Sequence, residues 1–316
     1  MHSIDRRSFV KGSLLAAAAF SLPATLAAQA SASAAKSKPG AKGPGIIDTD
    51  VMLFDWPYRR LKYGGNTRAL VAKLRQHGIT QAWAGSYDAL LHKNINAVNA
   101  RLAEECRRNG EGLLLPFGTV NPVWPDWEED LRRCHEVHKM PGIRIFPGYQ
   151  YVNMGAPQFM QLLEAAGRRG MIVQIAVDME DPRVHHPSFS AMSFDTDALV
   201  VALKAAPQTK VQLVHATNEI TGTKRTKVVK ETAAVFDIGR LEGDGILAQV
   251  LGVEQPLGSL AEGRVPLERL LFGSHAPFFP VATSVLRLFE SPLTLPQMQA
   301  IMEDNARRFL APVKNA

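Results

Sequence analysis

Cysteine is scarce in this chain: Cys106 and Cys134 are the only two among 316 residues. Their spacing matches no metal-binding motif, which argues against a cysteine-ligated metal. Each falls in a predicted helix of successive repeats, so they pair only if those helices come within reach in an oxidising compartment, and otherwise stay buried free thiols. The glycine-rich phosphate loops GxGxxG and GxxxxGK[ST] are missing too, which removes the nucleotide turn expected of an open doubly wound sheet. No charge of one sign dominates, with 36 Lys+Arg against 30 Asp+Glu. The densest basic stretch, Lys224, Arg225, Lys227 and Lys230, has no aromatic residue within it and reads as a solvated helix or loop face. No nucleic-acid partner is expected. A spanning helix is not expected either: the apolar run Leu14 to Leu26 is thirteen residues long and contains Ser21 and Pro23, short of the roughly 20 apolar residues a span requires.

What surrounds that run has a different meaning. Asp5-Arg6-Arg7-Ser8-Phe9-Val10-Lys11 precedes it, and small-residue sites at Ala28-Gln29-Ala30 and Ala30-Ser31-Ala32 follow. This is the pattern of a twin-arginine signal peptide over residues 1–32, which implies a periplasmic or secreted mature protein with no membrane segment. Residues 33–44, rich in Ala, Ser, Lys, Pro and Gly, bury too little apolar surface to order and read as a linker.

From residue 45 to 312 short apolar runs alternate with helix-periodic segments, the βαβα pattern of a parallel sheet covered on both faces. Predicted strands run over Ile46–Leu53, Gln81–Ala84, Leu113–Val120, Gly142–Ile145, Met171–Val177, Val211–Val214, Ala234–Ile238 and Leu270–Gly273. Predicted helices lie at Thr67–His77, Ile95–Arg107, Asp126–Val137, Pro157–Arg168, Thr196–Ala205, Gly245–Gly252 and Thr283–Phe289, several ending at a glycine such as Gly78, Gly110 or Gly170. Eight such repeats predict an α/β fold built as a single (β/α)8 TIM barrel, with function at the C-terminal ends of the strands.

Five segments carry a resemblance: Ile47-Asp48-Thr49-Asp50-Val51-Met52, Gly142-Ile143-Arg144-Ile145-Phe146-Pro147, Val211-Gln212-Leu213-Val214-His215, Leu271-Phe272-Gly273-Ser274-His275-Ala276-Pro277 and Asn305-Ala306-Arg307-Arg308-Phe309-Leu310. Together they resemble the amidohydrolase-related TIM-barrel family of the amidohydrolase 2 type. Metal-bearing members of that family carry His-x-His on the first strand, histidines at the ends of the fifth and sixth, and an aspartate on the eighth. The corresponding residues here are Asp50 and Met52, Ala176, His215 and His275, of which only His215 matches. A hydrolytic Zn²⁺ needs about three protein ligands, and a thioether substitutes poorly for imidazole. The expectation is therefore a site without a metal, with Zn²⁺ held by Asp50, His215 and His275 as the alternative.

Because the first and eighth strands are neighbours in a closed barrel, Asp50 and His275 are expected to form a carboxylate–imidazole pair for acid–base work, assisted by His215. Arg144, on a core strand, either anchors a substrate carboxylate or is ion-paired to an internal acid such as Asp178 or Asp48. Tyr149, Gln174 and Asp178 are the other candidates for substrate contact, whereas the adjacent His185 and His186 read as exposed loop residues. The resemblance implies a hydrolase of a small, carboxylate-bearing lactone, ester or amide. The alternatives are a decarboxylase or other lyase, an isomerase using the same acid–base pair, and a non-catalytic binding protein that kept the barrel. The expected partner is a small molecule, together with a possible second copy of the chain in a homo-oligomer.

Overall fold

The computed structural model describes residues 45–189, 191–241, 246–252 and 263–312. The expected signal peptide and linker lie outside the described residues. Among the described residues eight strands follow one another in parallel: β1 (Ile46–Leu53), β2 (Ile79–Ser86), β3 (Leu114–Pro116), β4 (Gly142–Ile145), β5 (Ile172–Ala176), β6 (Val211–Val214), β7 (Val235–Asp237) and β8 (Leu270–Leu271). Regular pairing joins β1–β2–β3 and, separately, β4 through β8. Two irregular seams join these sets. Gly118 N–H donates to Gly142 O (3.2 Å) and Arg144 N–H to Gly118 O (2.7 Å), while Thr49 N–H donates to Phe272 O (2.9 Å) and Met52 N–H to Ala276 O (2.8 Å). With both seams made, the sheet is the expected (β/α)8 barrel and has no free edge.

The helices are α1 (Thr67–Gln76), α2 (Ile95–Asn109), α3 (Trp127–Glu136), α4 (Pro147–Gln150), α5 (Pro157–Arg168), α6 (Thr196–Ala205), α7 (Gly222–Glu231), α8 (Ile246–Leu251), α9 (Val281–Glu290), α10 (Leu295–Gln299) and α11 (Asn305–Leu310). Their starts are written in the sequence: Asn66, Asn94 and Asp195 accept from the backbone N–H groups of Ala69, Ala97 and Ala198, satisfying donors that a helix leaves free. The apolar faces, such as Leu70, Val71 and Leu74 on α1, pack onto the strands. Closing the chain, Asn305 donates to Leu267 O and Leu270 O at 2.7 and 2.8 Å, tying α11 to the start of β8.

One expectation changes, and one open alternative is decided. Arg225 is not solvated: it is buried in α7 and donates to the carbonyls of Thr217 (2.6 Å), Ile220 (2.8 Å) and Gly263 (3.3 Å), fastening the loop after β6. Cys106 and Cys134 are buried, unpaired thiols.

A polar layer crosses the barrel interior, where apolar side chains usually fill the space. Arg144 and Gln174 are paired in register on β4 and β5, and Gln174 and Gln212 on β5 and β6. Arg144 Nε donates to Gln174 Oε1 (2.9 Å), Gln174 Nε2 to Gln212 Oε1 (2.8 Å), Gln212 Nε2 to Thr49 Oγ1 (2.7 Å) and Thr49 Oγ1 to Phe272 O (2.9 Å). A fully satisfied chain of this kind fixes the position of each member, and it sets the Arg144 guanidinium under the C-terminal end of β1.

Candidate metal centre

Asp50 stands at that end. Pairing between β1 and β2 slips between Asp48 and Val51, an irregularity of the sort that re-aims side chains near functional sites. The Asp50 carboxylate is wholly buried. Its Oδ1 accepts from Arg144 Nη1 at 2.9 Å, and its Oδ2 meets His215 Nε2 in a close contact and lies 3.5 Å from His275 Nδ1. The two imidazoles are 3.8 Å apart between ring centres. Each histidine is the first or fourth residue after its strand ends and takes a left-handed backbone, with φ of 58° at His215 and 56° at His275. That conformation costs a β-carbon-bearing residue about 1–3 kcal/mol, a strain that persists where the surrounding fold enforces it and that clusters at active sites.

One ligand atom from each of Asp50, His215 and His275 lies within 4.8 Å of the others. The hydrogen bonding shows whether a cation suits them. His275 Nε2 donates to Met179 O at 3.0 Å, which places the proton on Nε2 and leaves Nδ1 as a bare lone pair. That lone pair faces a carboxylate oxygen 3.5 Å away and has no hydrogen-bond partner among the described residues. Two acceptors facing each other in a buried place repel unless a proton or a cation lies between them, and one carboxylate with two imidazoles is a donor set used for divalent Zn, Mn or Fe. Burial would raise the Asp50 carboxyl, but His215, Arg144 and His275 hold it well below 3.8, while burial pushes His215 down to about 3 in spite of Asp50. The donors are thus a carboxylate and a neutral imidazole, the forms that bind cations.

Arg144 is brought to this centre but does not open onto a ligand. Besides Gln174 and Asp50, its Nη1 meets Val51 O (3.3 Å) and Met52 Sδ (2.9 Å), and its Nη2 meets Thr49 O (3.2 Å) and Trp83 O (3.3 Å). Its charge compensates Asp50 rather than Asp178 or Asp48, and no donor remains for a substrate carboxylate. Gln174 is likewise consumed by Thr49 O and Gln212. Asp178 is ion-paired to Arg240. His186 stacks on Tyr58, with 5.3 Å between ring centres, away from the three clustered donors.

Against the cluster packs a lobe of aromatic side chains. Trp56 meets Tyr87, Tyr149 and Phe278 edge-on at 5.3, 5.9 and 5.1 Å between ring centres. Tyr149 stacks on Phe189 at 4.4 Å, and Phe278 stacks on His275 at 4.9 Å. Met52 and Ala176 join this apolar group. Five buried polar atoms in the lobe lack hydrogen-bond partners among the described residues: Trp56 Nε1, Tyr87 Oη, Tyr149 Oη and both carboxylate oxygens of Glu180. Buried polar atoms left unsatisfied are costly and mark places where a ligand or water completes the bonding. Glu180 is pushed up by burial against the pull of Arg59, whose Nη1 is 3.3 Å away and whose guanidinium lies over Phe278 at 4.5 Å. With its side chain 43% exposed, Arg59 connects the lobe to solvent.

Sequence reading missed Arg59, Glu180, Trp56, Tyr87 and the buried acid Asp237, and it named Asp48 only as a partner for Arg144. Asp48 accepts from Asp50 N–H (3.1 Å), Ser274 N–H (2.9 Å) and Ser274 Oγ (2.5 Å), and burial pushes it up to about 7. Asp237 ends β7; its Oδ1 accepts from the N–H groups of His215 (3.1 Å) and Gly239 (3.2 Å). The available signal was an acid within an otherwise apolar strand, Val235-Phe236-Asp237-Ile238.

Comparison with known proteins follows the same outline. The family model described as amidohydrolase matches residues 47–311. A search of curated proteins gave no match. Among solved structures, 2,6-dihydroxybenzoate decarboxylase from Rhizobium is similar at 14% identity and a TM-score of 0.61, covering 85% of this chain and 99% of that one. The 5-carboxyvanillate decarboxylase from Sphingomonas paucimobilis aligns at 13% identity with a TM-score of 0.59, covering 86% and 100%. A dihydroxybenzoic acid decarboxylase from Polaromonas, solved with manganese and 2-nitroresorcinol, aligns at 13% identity with a TM-score of 0.60, covering 85% and 97%. The expectation of a site without a metal is corrected here: the similar Polaromonas structure holds manganese, and Asp50, His215 and His275 supply a compact donor set in this chain. Counting matches to a family's own ligands made that set the alternative rather than the expectation, although the exchanged residues still carry lone pairs.

Proposed function

The chain belongs to the amidohydrolase family, and from that premise we propose that it is a metal-dependent lyase releasing CO₂ from a small aromatic carboxylic acid. The observation that carries this reading is the Asp50–His215–His275 donor set lying against an aromatic lobe that keeps unpaired polar atoms for a ligand. The hydrolase reading suggested by the resemblance is supported only as far as the superfamily; decarboxylation fits the lobe better, and the similar solved structures act on ring-borne carboxylates.

In this reading, Arg59 draws the anionic acid from solvent and orients it against Phe278, the role expected of Arg144 before its donors were found to be spent. Trp56 Nε1 and the Tyr87 and Tyr149 hydroxyls donate to oxygens on the ring, and the tyrosines stay protonated because burial raises both. Glu180 accepts from a ring hydroxyl. The surrounding rings exclude water, which strengthens each of these contacts. A divalent cation held by Asp50, His215 and His275 supplies Lewis acidity toward the negative charge that develops on the substrate. As the carbon–carboxyl bond breaks, its electron pair passes to the ring carbon, and a proton from Glu180, whose carboxyl is held up by burial, takes the place of CO₂.

The test is CO₂ release by manganese-loaded protein from a panel of hydroxylated benzoates, with lactones and phenyl esters assayed in parallel. Release from a ring acid that falls to background in His215→Ala and after chelation is the expected result. Ester or lactone turnover without CO₂ release from any ring acid would return the protein to the hydrolases.

A further inference from the structure

A divalent cation bound by Asp50 and two neutral imidazoles would not be neutralised by them. Asp50 already shares its charge with Arg144 at 2.9 Å, so cation and guanidinium together leave two positive charges uncompensated in a wholly buried place. Burying that excess is expensive unless another anion stands beside it. Two further buried carboxyl groups lie close by, both pushed up by burial in the absence of a cation. Asp48 has both oxygens occupied by Asp50 and Ser274. Asp237 differs: Oδ1 is fixed by two backbone N–H groups, and Oδ2 is buried without a hydrogen-bond partner among the described residues.

Glycine keeps space open around that oxygen. A β-carbon placed on Gly239 would stand 3.4 Å from Asp237 Oδ2 and 3.4 Å from Asp50 Oδ2, and one placed on Gly273 would fall 2.9 Å from Asp237 Oδ2. The two carboxylate oxygens therefore border one small space, next to the histidine whose backbone N–H holds Asp237 in place. We propose that Asp237 is the second carboxylate of the cation centre, supplying from β7 the negative charge that the pairing of Asp50 with Arg144 withholds. This rests on the reading of Asp50, His215 and His275 as a cation site, and it assigns a role to a strand whose residues the sequence reading left to packing.

The experiment is a Mn²⁺ titration of full-length, chelator-treated protein, followed by the electron paramagnetic resonance signal of free Mn²⁺. Wild type, Asp237→Asn, Asp237→Ser and, as a charge control on the outer helix α3, Asp130→Asn are compared after melting curves confirm folding. Loss of an acid supporting a metal centre typically weakens affinity about 10- to 100-fold, and that is the effect expected of Asp237→Asn, with Asp130→Asn unchanged. Equal Mn²⁺ affinity in wild type and Asp237→Asn overturns the proposal while leaving the three-residue centre standing. No Mn²⁺ binding by wild type overturns the centre, and this proposal with it. Should Asp237→Asn fail to fold, Asp237→Ser decides, since its hydroxyl can still accept from the His215 and Gly239 N–H groups but carries no charge: weakened binding supports the proposal, and unchanged binding contradicts it.

Discussion

Arg144 shows how a single charge is placed by its neighbours. A guanidinium and a carboxylate buried together add little net stability, but removing one strands the other. Arg144→Met should destabilise metal-free protein by about 3–5 kcal/mol in urea unfolding; a loss below about 1 kcal/mol would mean that Asp50 finds another partner. Asp48 makes a prediction about pH. Its carboxyl rises from 3.8 to about 7 on folding, so the protonated form is the one the fold favours. Its stabilising contribution is complete below pH 3.8 and is lost as pH climbs to about 7. In metal-free protein, Asp48→Asn should flatten the decline in melting temperature between pH 4 and 7; parallel curves for variant and wild type would refute this. Arg59→Gln should raise KM for a ring carboxylate about tenfold and change kcat less, as loss of a partly solvated charged hydrogen bond does. At this scale Asp50, His215 and His275 were legible because strand ends in a barrel carry function. Arg59 and Glu180 were not, since a charged loop residue in sequence gives no sign of which ring it will cover.

Elements were easier to read than their ends. The apolar runs located each strand because a buried parallel strand needs nearly continuous Val, Ile and Leu. β3 stops at Pro116, which has no N–H to continue the ladder, although Phe117 and Gly118 go on to bond β2 and β4. The missed helix α7 has a thin apolar face: Val228 and the buried Arg225 stand among Lys224, Lys227 and Lys230. Basic residues dominate its sequence, yet one of them is structural. Arg225→Met should therefore speed amide hydrogen exchange in residues 216–222, where its carbonyl partners lie, while the strands keep their protection. Unchanged exchange there would mean that the loop holds itself.

For the whole molecule, eight repeats and the closing helix α11 were enough to specify the barrel, because each repeat buries its apolar face only by stacking on the next. That the three could hold a cation was harder to see, since it depends on a carbonyl at Met179 that fixes one imidazole's proton. Export through the twin-arginine route, which accepts folded proteins, remains our proposal for the full chain. Arg6→Lys together with Arg7→Lys should hold the protein in the cytoplasm on cell fractionation, and normal export of that variant would contradict it. The central claim, that Asp50, His215 and His275 hold a divalent cation, is tested most directly by anomalous diffraction at the manganese edge from crystals grown with Mn²⁺. A peak in contact with all three side chains is predicted. Crystals that show no peak there, with the three side chains ordered and Mn²⁺ present in the solution, would contradict it.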